Sequence, residues 1–417
     1  MKSLLPLFLV IFFVQFAKAQ EVLETGGKKM PSTWIDKDTK HRIVRLSASL
    51  EGNSQSFYFH NYPFIGNEMV FYNSSKQKAE EVTDMKHVEA GQVNLNNKQL
   101  YTVDLGSLKT KRITNERTAM SGEVVCEKTK TVFYQIKDSI FALKQGDPKP
   151  KLVFVFPTDF KSSISAVNVN GSLLAGSFAT EAEKDILKNN PNKGSYFNLI
   201  YEAKLPKTLF TIDVATGKLN KIFTDSAWLN HVQFSTTNPN LLMFCHEGPW
   251  HKVNRVWTID VNTKAITQIH HRTMDMEIWG HEWFGKNGKN IYFELQQPRG
   301  KEFFVGKYEV ASGKESKYRL QQNEWSVHYT SNATETLFAG DGGDPGAVAK
   351  APNGQWIYLF TPNGDHFDAA KLVNMKKHQY KLEPNVHFSP DGKWIIFRAN
   401  FEGESQVYAV EIKKATQ

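Results

Sequence analysis

Cysteine is nearly missing from this chain: Cys126 and Cys245 are the only two among 417 residues. Both sit in strand-like runs of separate segments, so two buried free thiols are expected rather than a disulfide scaffold. Past the N-terminus no segment approaches the roughly 20 apolar residues that a membrane-spanning helix needs, so no membrane span is expected. Helix signals are scarce as well; residues 181–189 are the best stretch and fall in the longest insertion. No Arg/Lys block interleaved with aromatics is present, which argues against nucleic acid as a partner. The formal net charge of +8 favours anionic partners in general, and equally well a basic surface kept for solubility. No Walker loop, CxxC zinc spacing, paired-carboxylate motif or Ser-His-Asp order stands out, which removes the commonest phosphoryl-transfer, zinc and acyl-transfer designs.

What is present begins with a targeting pattern. Met1-Lys2 supplies a positive start, residues 4–16 a greasy core, and Ala17-Lys18-Ala19 a small-x-small cleavage site. Residues 1–19 are therefore expected to be a signal peptide, and the product to be exported, periplasmic or secreted. Residues 20–417 are expected to form a single domain.

The rest of the chain repeats itself. Phe388-Ser389-Pro390-Asp391-Gly392-Lys393 is a turn carrying Pro, Asp and Gly, and an apolar strand follows it. Residues 284–293 repeat this phrase, and degenerate copies lie at 64–71, 125–133, 167–175, 234–244 and 331–339. A second phrase alternates with the first: Thr211-Ile212-Asp213-Val214-Ala215-Thr216-Gly217 is a strand entering a hairpin, echoed at 258–264 and 307–314. Seven units, each an inner strand, a turn and outer strands, predict an all-β, seven-bladed β-propeller. Because the chain ends soon after residues 407–412, a strand near 42–46 is expected to complete the last blade.

The frame carries chemistry. Three residues before each turn phrase stand Asn61, Gly122, Ile164, His231, His281, His328 and Asn385. Inner strands of a propeller run along its axis, so equivalent positions should form one ring at one mouth of the channel. That gathers His231, His281, His328 and Asn385 in one sector. Strand alternation adds Glu383, and His387 on the same face. Imidazole with carboxylate and amide oxygen suits a divalent cation such as Mn²⁺ or Ca²⁺. A free histidine is a competent general base. Arg255 and Arg299 are candidates to grip an anionic ligand. Trp250, in the polar run from Cys245 to His251, and His328 join them as candidate substrate-binding residues.

Three phrases in this set, Gly280-His281-Glu282-Trp283-Phe284, Cys245-His246-Glu247-Gly248-Pro249 and the 388–393 turn, resemble the oligogalacturonate lyases. The resemblance implies a seven-bladed propeller that uses Mn²⁺ and cleaves short pectic uronides by β-elimination. It implies His281 as a metal ligand and a histidine base, for which His231 and His246 are both candidates. Where the family's pattern carries Gln-x-x-His-x-His, this chain has Tyr380-Lys381-Leu382-Glu383-Pro384-Asn385. The expected ligand set is accordingly His281, Glu383 and Asn385, a harder site. An acidic oligosaccharide is the expected partner. The alternatives are a lyase for another uronic-acid polymer and a non-catalytic carbohydrate-binding propeller.

Overall fold

Two turn devices recur and set the architecture. In the hairpins an aspartate accepts from a backbone N–H three residues on: Asp104 from Ser107 (2.7 Å), Asp213 from Thr216 (2.7 Å) and Asp260 from Thr263 (2.8 Å). These local bonds make the repeated Asp-x-x-Thr/Ser phrase a turn, because the carboxylate replaces a backbone acceptor. The other turn is held by Ser389 Oγ donating to Asp391 Oδ1 (2.6 Å), which also accepts from the Lys393 N–H (3.1 Å).

In the computed structural model, which describes residues 20–74 and 98–415, these turns link antiparallel strands into a seven-bladed propeller. Blades 2 to 5 start from the inner strands Met120–Cys126, Ile164–Val167, Trp228–Phe234 and Ile278–Phe284. Blades 6 and 7 start from the short Tyr329–Ser331 and His387–Phe388. Second strands are packed by neighbouring blades on both faces, and Asn290–Gln296 is buried along its whole length. Inter-blade cores such as Leu209, Leu229, Phe244 and Ile259 hold adjacent sheets together. In the last blade the N-terminal strand His41–Arg45 pairs antiparallel with Gln406–Lys414, and Thr33–Asp36 extends the sheet outward. Residues 1–19, read as a signal peptide, lie outside the described residues. No helix among the described residues is long and apolar enough to cross a membrane. Cys126 and Cys245 are both buried and free.

The 181–189 stretch is helix α1 (Glu181–Asn189), capped by Thr180 Oγ1 on the Glu183 N–H. A second helix, α2 (Lys193–Ala203), follows it. Its sequence announces it poorly, since Gly194 and four aromatic or β-branched residues weaken the intrinsic helix preference and Asn192 makes no side-chain cap.

The inner strands share one irregularity that matters for the site. Pairing slips at the ring position in blades 2, 3, 4 and 5, between Phe133 and Gln135, Ile164 and Ala166, Asn230 and Gln233, and Gly280 and Trp283. Gly122, His231, His281 and Asn385 take φ of 63°, 49°, 45° and 52°. A bulge with left-handed backbone breaks the pleat and re-aims a side chain. For histidine that conformation is uncommon and persists where the surroundings fix it. At Gly122 a Cβ would lie 2.6 Å from the Ile164 carbonyl oxygen. Gly122→Ala is therefore expected to cost about 1–3 kcal/mol, as overpacking against backbone does, and a denaturant titration measures it.

Candidate active site

The inner strand of blade 1 is split into Asn53–Gln55 and Phe64–Ile65, both paired to Glu68–Ser74. Between its halves, residues 56–63 fold into the channel as a plug. Asn385 Oδ1 accepts from the Phe59 N–H (2.9 Å), His387 Nε2 donates to the Phe57 carbonyl (3.1 Å), and Arg398 donates to the Ser56 carbonyl (3.3 Å). Burial lowers the His387 pKa to about 4, so it serves as a neutral strut. Asn61, placed on the ring by its sequence frame, instead lines a separate cavity with Tyr62, Glu127 and Lys286. The split strand is the reason.

Tyr58 and Phe59 then supply the surface against which the histidines pack. His328 meets Phe59 at a ring separation of 4.7 Å and Tyr58 at 5.1 Å; His231 meets Tyr58 at 6.2 Å; His281 meets His328 at 4.8 Å. His231, His281 and His328 thus do converge at one mouth.

Each histidine has a carboxylate partner. His281 Nδ1 lies 2.8 Å from Glu294, whose other oxygen accepts from Trp325 Nε1 (2.8 Å). His328 Nδ1 lies 2.9 Å from Asp341, which also accepts from the His328 and Asn385 backbone N–H groups. Burial raises the Asp341 carboxyl to about 7 and pushes the His328 imidazole down, so this pair shares little charge. His231 Nε2 stands 3.5 Å from Glu247, a contact long for a direct hydrogen bond. Glu247 in turn accepts from Arg255 (2.6 Å) and Trp250 Nε1 (3.2 Å), and burial opposes while Arg255 favours its ionised form, leaving its pKa well below the usual range.

The cleft outside the plug has a volume of ≈ 680 Å³. Trp250, His281, Glu294, Arg299, Lys381 and Glu383 line it, and α2 contributes Phe197 to its wall. Trp250 stands edge-on to His281 at 5.0 Å. His231 stands beside Glu247, outside the residues that line the cleft, with 22% of its side chain exposed.

Four expectations need correction. His246 is not at this mouth: Cys245 and Glu247 face inward, and alternation sends His246 outward to stack on Trp257 at 5.0 Å, 3.9 Å from Asp225. Arg255 is fully buried between Glu247 and Glu282, under the Trp250 ring, and presents nothing to a ligand. His328 is also fully buried, so it cannot touch a sugar directly. Asn385 and Glu383 do not share a face, because the positive φ at Asn385 breaks the alternation; Asn385 is buried with its oxygen on the plug, while Glu383 stays half-exposed at the cleft.

Sequence reasoning missed Tyr58, Glu294 and Asp341. The run Phe57-Tyr58-Phe59-His60 ahead of the first turn, and acids set inside apolar strands such as Tyr292-Phe293-Glu294-Leu295, were available signals.

A divalent cation is implied by these donors, and the residues fit one. His281 and His328 each have Nδ1 held by a buried carboxylate, which leaves Nε2 as the ligand nitrogen in the usual carboxylate–histidine manner. Glu383 Oε2 is 3.8 Å from His328 Nε2. The one trio of such donors within 4.8 Å among the described residues is instead His231, Cys245 and Glu247. That trio suits an ion poorly: Glu247 is engaged by Arg255, and burial keeps the Cys245 thiol protonated.

Residues 84–416 match the family model described as oligogalacturonate lyase. An oligogalacturonate lyase of Dickeya dadantii (strain 3937) is 25% identical over 217 residues, 49% of this chain and 55% of that protein. An oligogalacturonide lyase of Pectobacterium atrosepticum is 23% identical over 221 residues, 49% of this chain and 55% of that protein. The chain thus spans about half the length of the curated relatives it matches. A solved oligogalacturonate lyase in complex with manganese superposes with a TM-score of 0.75 at 18% identity, covering 94% of this chain and 99% of that one. One from Vibrio parahaemolyticus gives 0.73 at 18%, covering 92% and 97%. Both likenesses establish the propeller fold.

Proposed function

This chain belongs to the oligogalacturonate lyase family, and from that premise we propose that it cleaves short oligogalacturonides by β-elimination with the help of a divalent cation, Mn²⁺ before Ca²⁺. The observation that carries the reading is the convergence of His231, His281 and Glu383 at one channel mouth, beside a cleft rimmed by Arg299 and Lys381.

A uronate C5 hydrogen is weakly acidic, because the neighbouring carboxylate resists further negative charge. His231 takes that proton as general base. The electron pair becomes the C4=C5 double bond, the C4–O bond breaks, and the departing oxygen takes up a proton in place of the one removed, so no water is consumed, unlike glycoside hydrolysis. A cation at His281 and Glu383 would supply positive charge to the uronate carboxylate as negative charge builds. Arg299 and Lys381 bind the carboxylates of flanking sugars, and Trp250 gives a sugar an aromatic face. Lys2, the greasy 4–16 segment and Ala17-Lys18-Ala19 support export to the periplasm or beyond.

The test is ultraviolet absorbance of the unsaturated product on a panel of uronides. Oligogalacturonate is expected to give a growing signal that a chelator abolishes and Mn²⁺ restores. Growth only on another uronan would move the substrate; binding without absorbance on every uronide would make the protein a carbohydrate-binding propeller.

A further inference from the structure

The last blade lacks the histidines that the family's pattern places before its final turn, and Asn385 has its oxygen on the plug. Within the lyase reading, which supplies only the expectation of a cation, we propose that His328 of blade 6 is the ligand that completes this chain's cation site, beside His281 and Glu383.

Three observations carry it. First, His328 is oriented as a ligand is: Asp341 holds Nδ1 at 2.9 Å and the backbone N–H at 2.8 Å, so the ring cannot turn and Nε2 points away from its support. Second, the facing oxygen is in place. Glu383 Oε2 lies 3.8 Å from Nε2, and two donors bound about 2.3–2.6 Å from one ion at a little over a right angle lie close to that separation. Third, the His281 ring stands 4.8 Å from His328, with its own Nδ1 on Glu294. Two carboxylate-oriented imidazoles with one carboxylate make a nitrogen-and-oxygen site without thiolate, one that accepts Mn²⁺ among the divalent first-row ions. Tyr58 Oη now occupies Nε2 at 3.2 Å. The ion must take that place, with Glu383, which is half-exposed, closing onto it.

The experiment reads the metal and not turnover. Wild-type protein is loaded with Mn²⁺, and electron spin-echo modulation counts the coordinated imidazoles, with affinity measured by calorimetry. Two imidazoles are expected in the wild type and one in His328→Gln. Asp341→Asn and Glu383→Gln are expected to weaken Mn²⁺ binding about 10–100-fold, as loss of supporting or ligating carboxylates does. His231→Ala is the control and is expected to bind Mn²⁺ as the wild type does. If His328→Gln fails to fold, Glu383→Gln and Asp341→Asn still decide. A single imidazole in the wild type, or unchanged affinity in both of these variants, overturns the proposal. A wild type that binds Mn²⁺ through two imidazoles yet eliminates no uronide would leave this site standing and sink the lyase reading alone.

Discussion

His231→Ala is expected to lower kcat for oligogalacturonate elimination by about 10²–10⁴-fold, the usual contribution of a placed general base, while His246→Ala leaves it unchanged. Both histidines lie in blade 4, and His246 sits within a family-like phrase. The backbone separates them. Trp228–Phe234 is the inner strand, and its bulge turns His231 toward Tyr58 and the channel. Leu241–Glu247 is the second strand, where alternation gives Cys245 and Glu247 the inner face and His246 the outer one. Burial lowers the His246 pKa, Trp257 stacks on the ring, and the residue is absent from the cleft lining, so it is a packed histidine of the outer face. Steady-state rates followed by product absorbance check the pair. A collapse of kcat in His246→Ala with a folded, active His231→Ala would reverse the assignment.

The propeller was legible because a repeat amplifies weak signals: each turn phrase alone is common, and seven in one frame are not. The histidine ring was legible for the same reason, since His231, His281 and His328 hold one place in three consecutive blades. What the frame could not convey is departure from itself. Blade 1 splits its inner strand, so Asn61 leaves the ring and Tyr58 and Phe59 enter the channel. The left-handed residue at Asn385 ends strict alternation there, so Glu383 and Asn385 part company. Alternation arguments hold only along an unbroken pleat. Charge was the other blind spot. Arg255 and Arg299 read alike in sequence, because nothing near either states whether its carboxylate partner comes from the protein or from a ligand.

These two arginines give the second large contrast. Arg255→Ala is expected to destabilise the protein by about 3–5 kcal/mol, because removing one member of a buried ion pair strands the other. Here it would strand two: Glu247 at 2.6 Å and Glu282 at 3.3 Å both depend on this one guanidinium, and Glu282 Oε1 already lacks a hydrogen-bond partner. The Trp250 ring rests 4.5 Å from the guanidinium, and a Cβ at Gly280 would come within 3 Å of both groups, so Arg255 is also a packing element of the cleft wall. Arg299 is exposed on the rim and lines the cleft. Arg299→Ala is therefore expected to leave unfolding unchanged and to raise KM, as loss of a carboxylate-gripping residue does. Urea unfolding with kinetics on the same two variants checks this. Equal stability of the two variants, with KM raised in Arg255→Ala alone, would mean that Arg255 leaves its pair to meet the substrate.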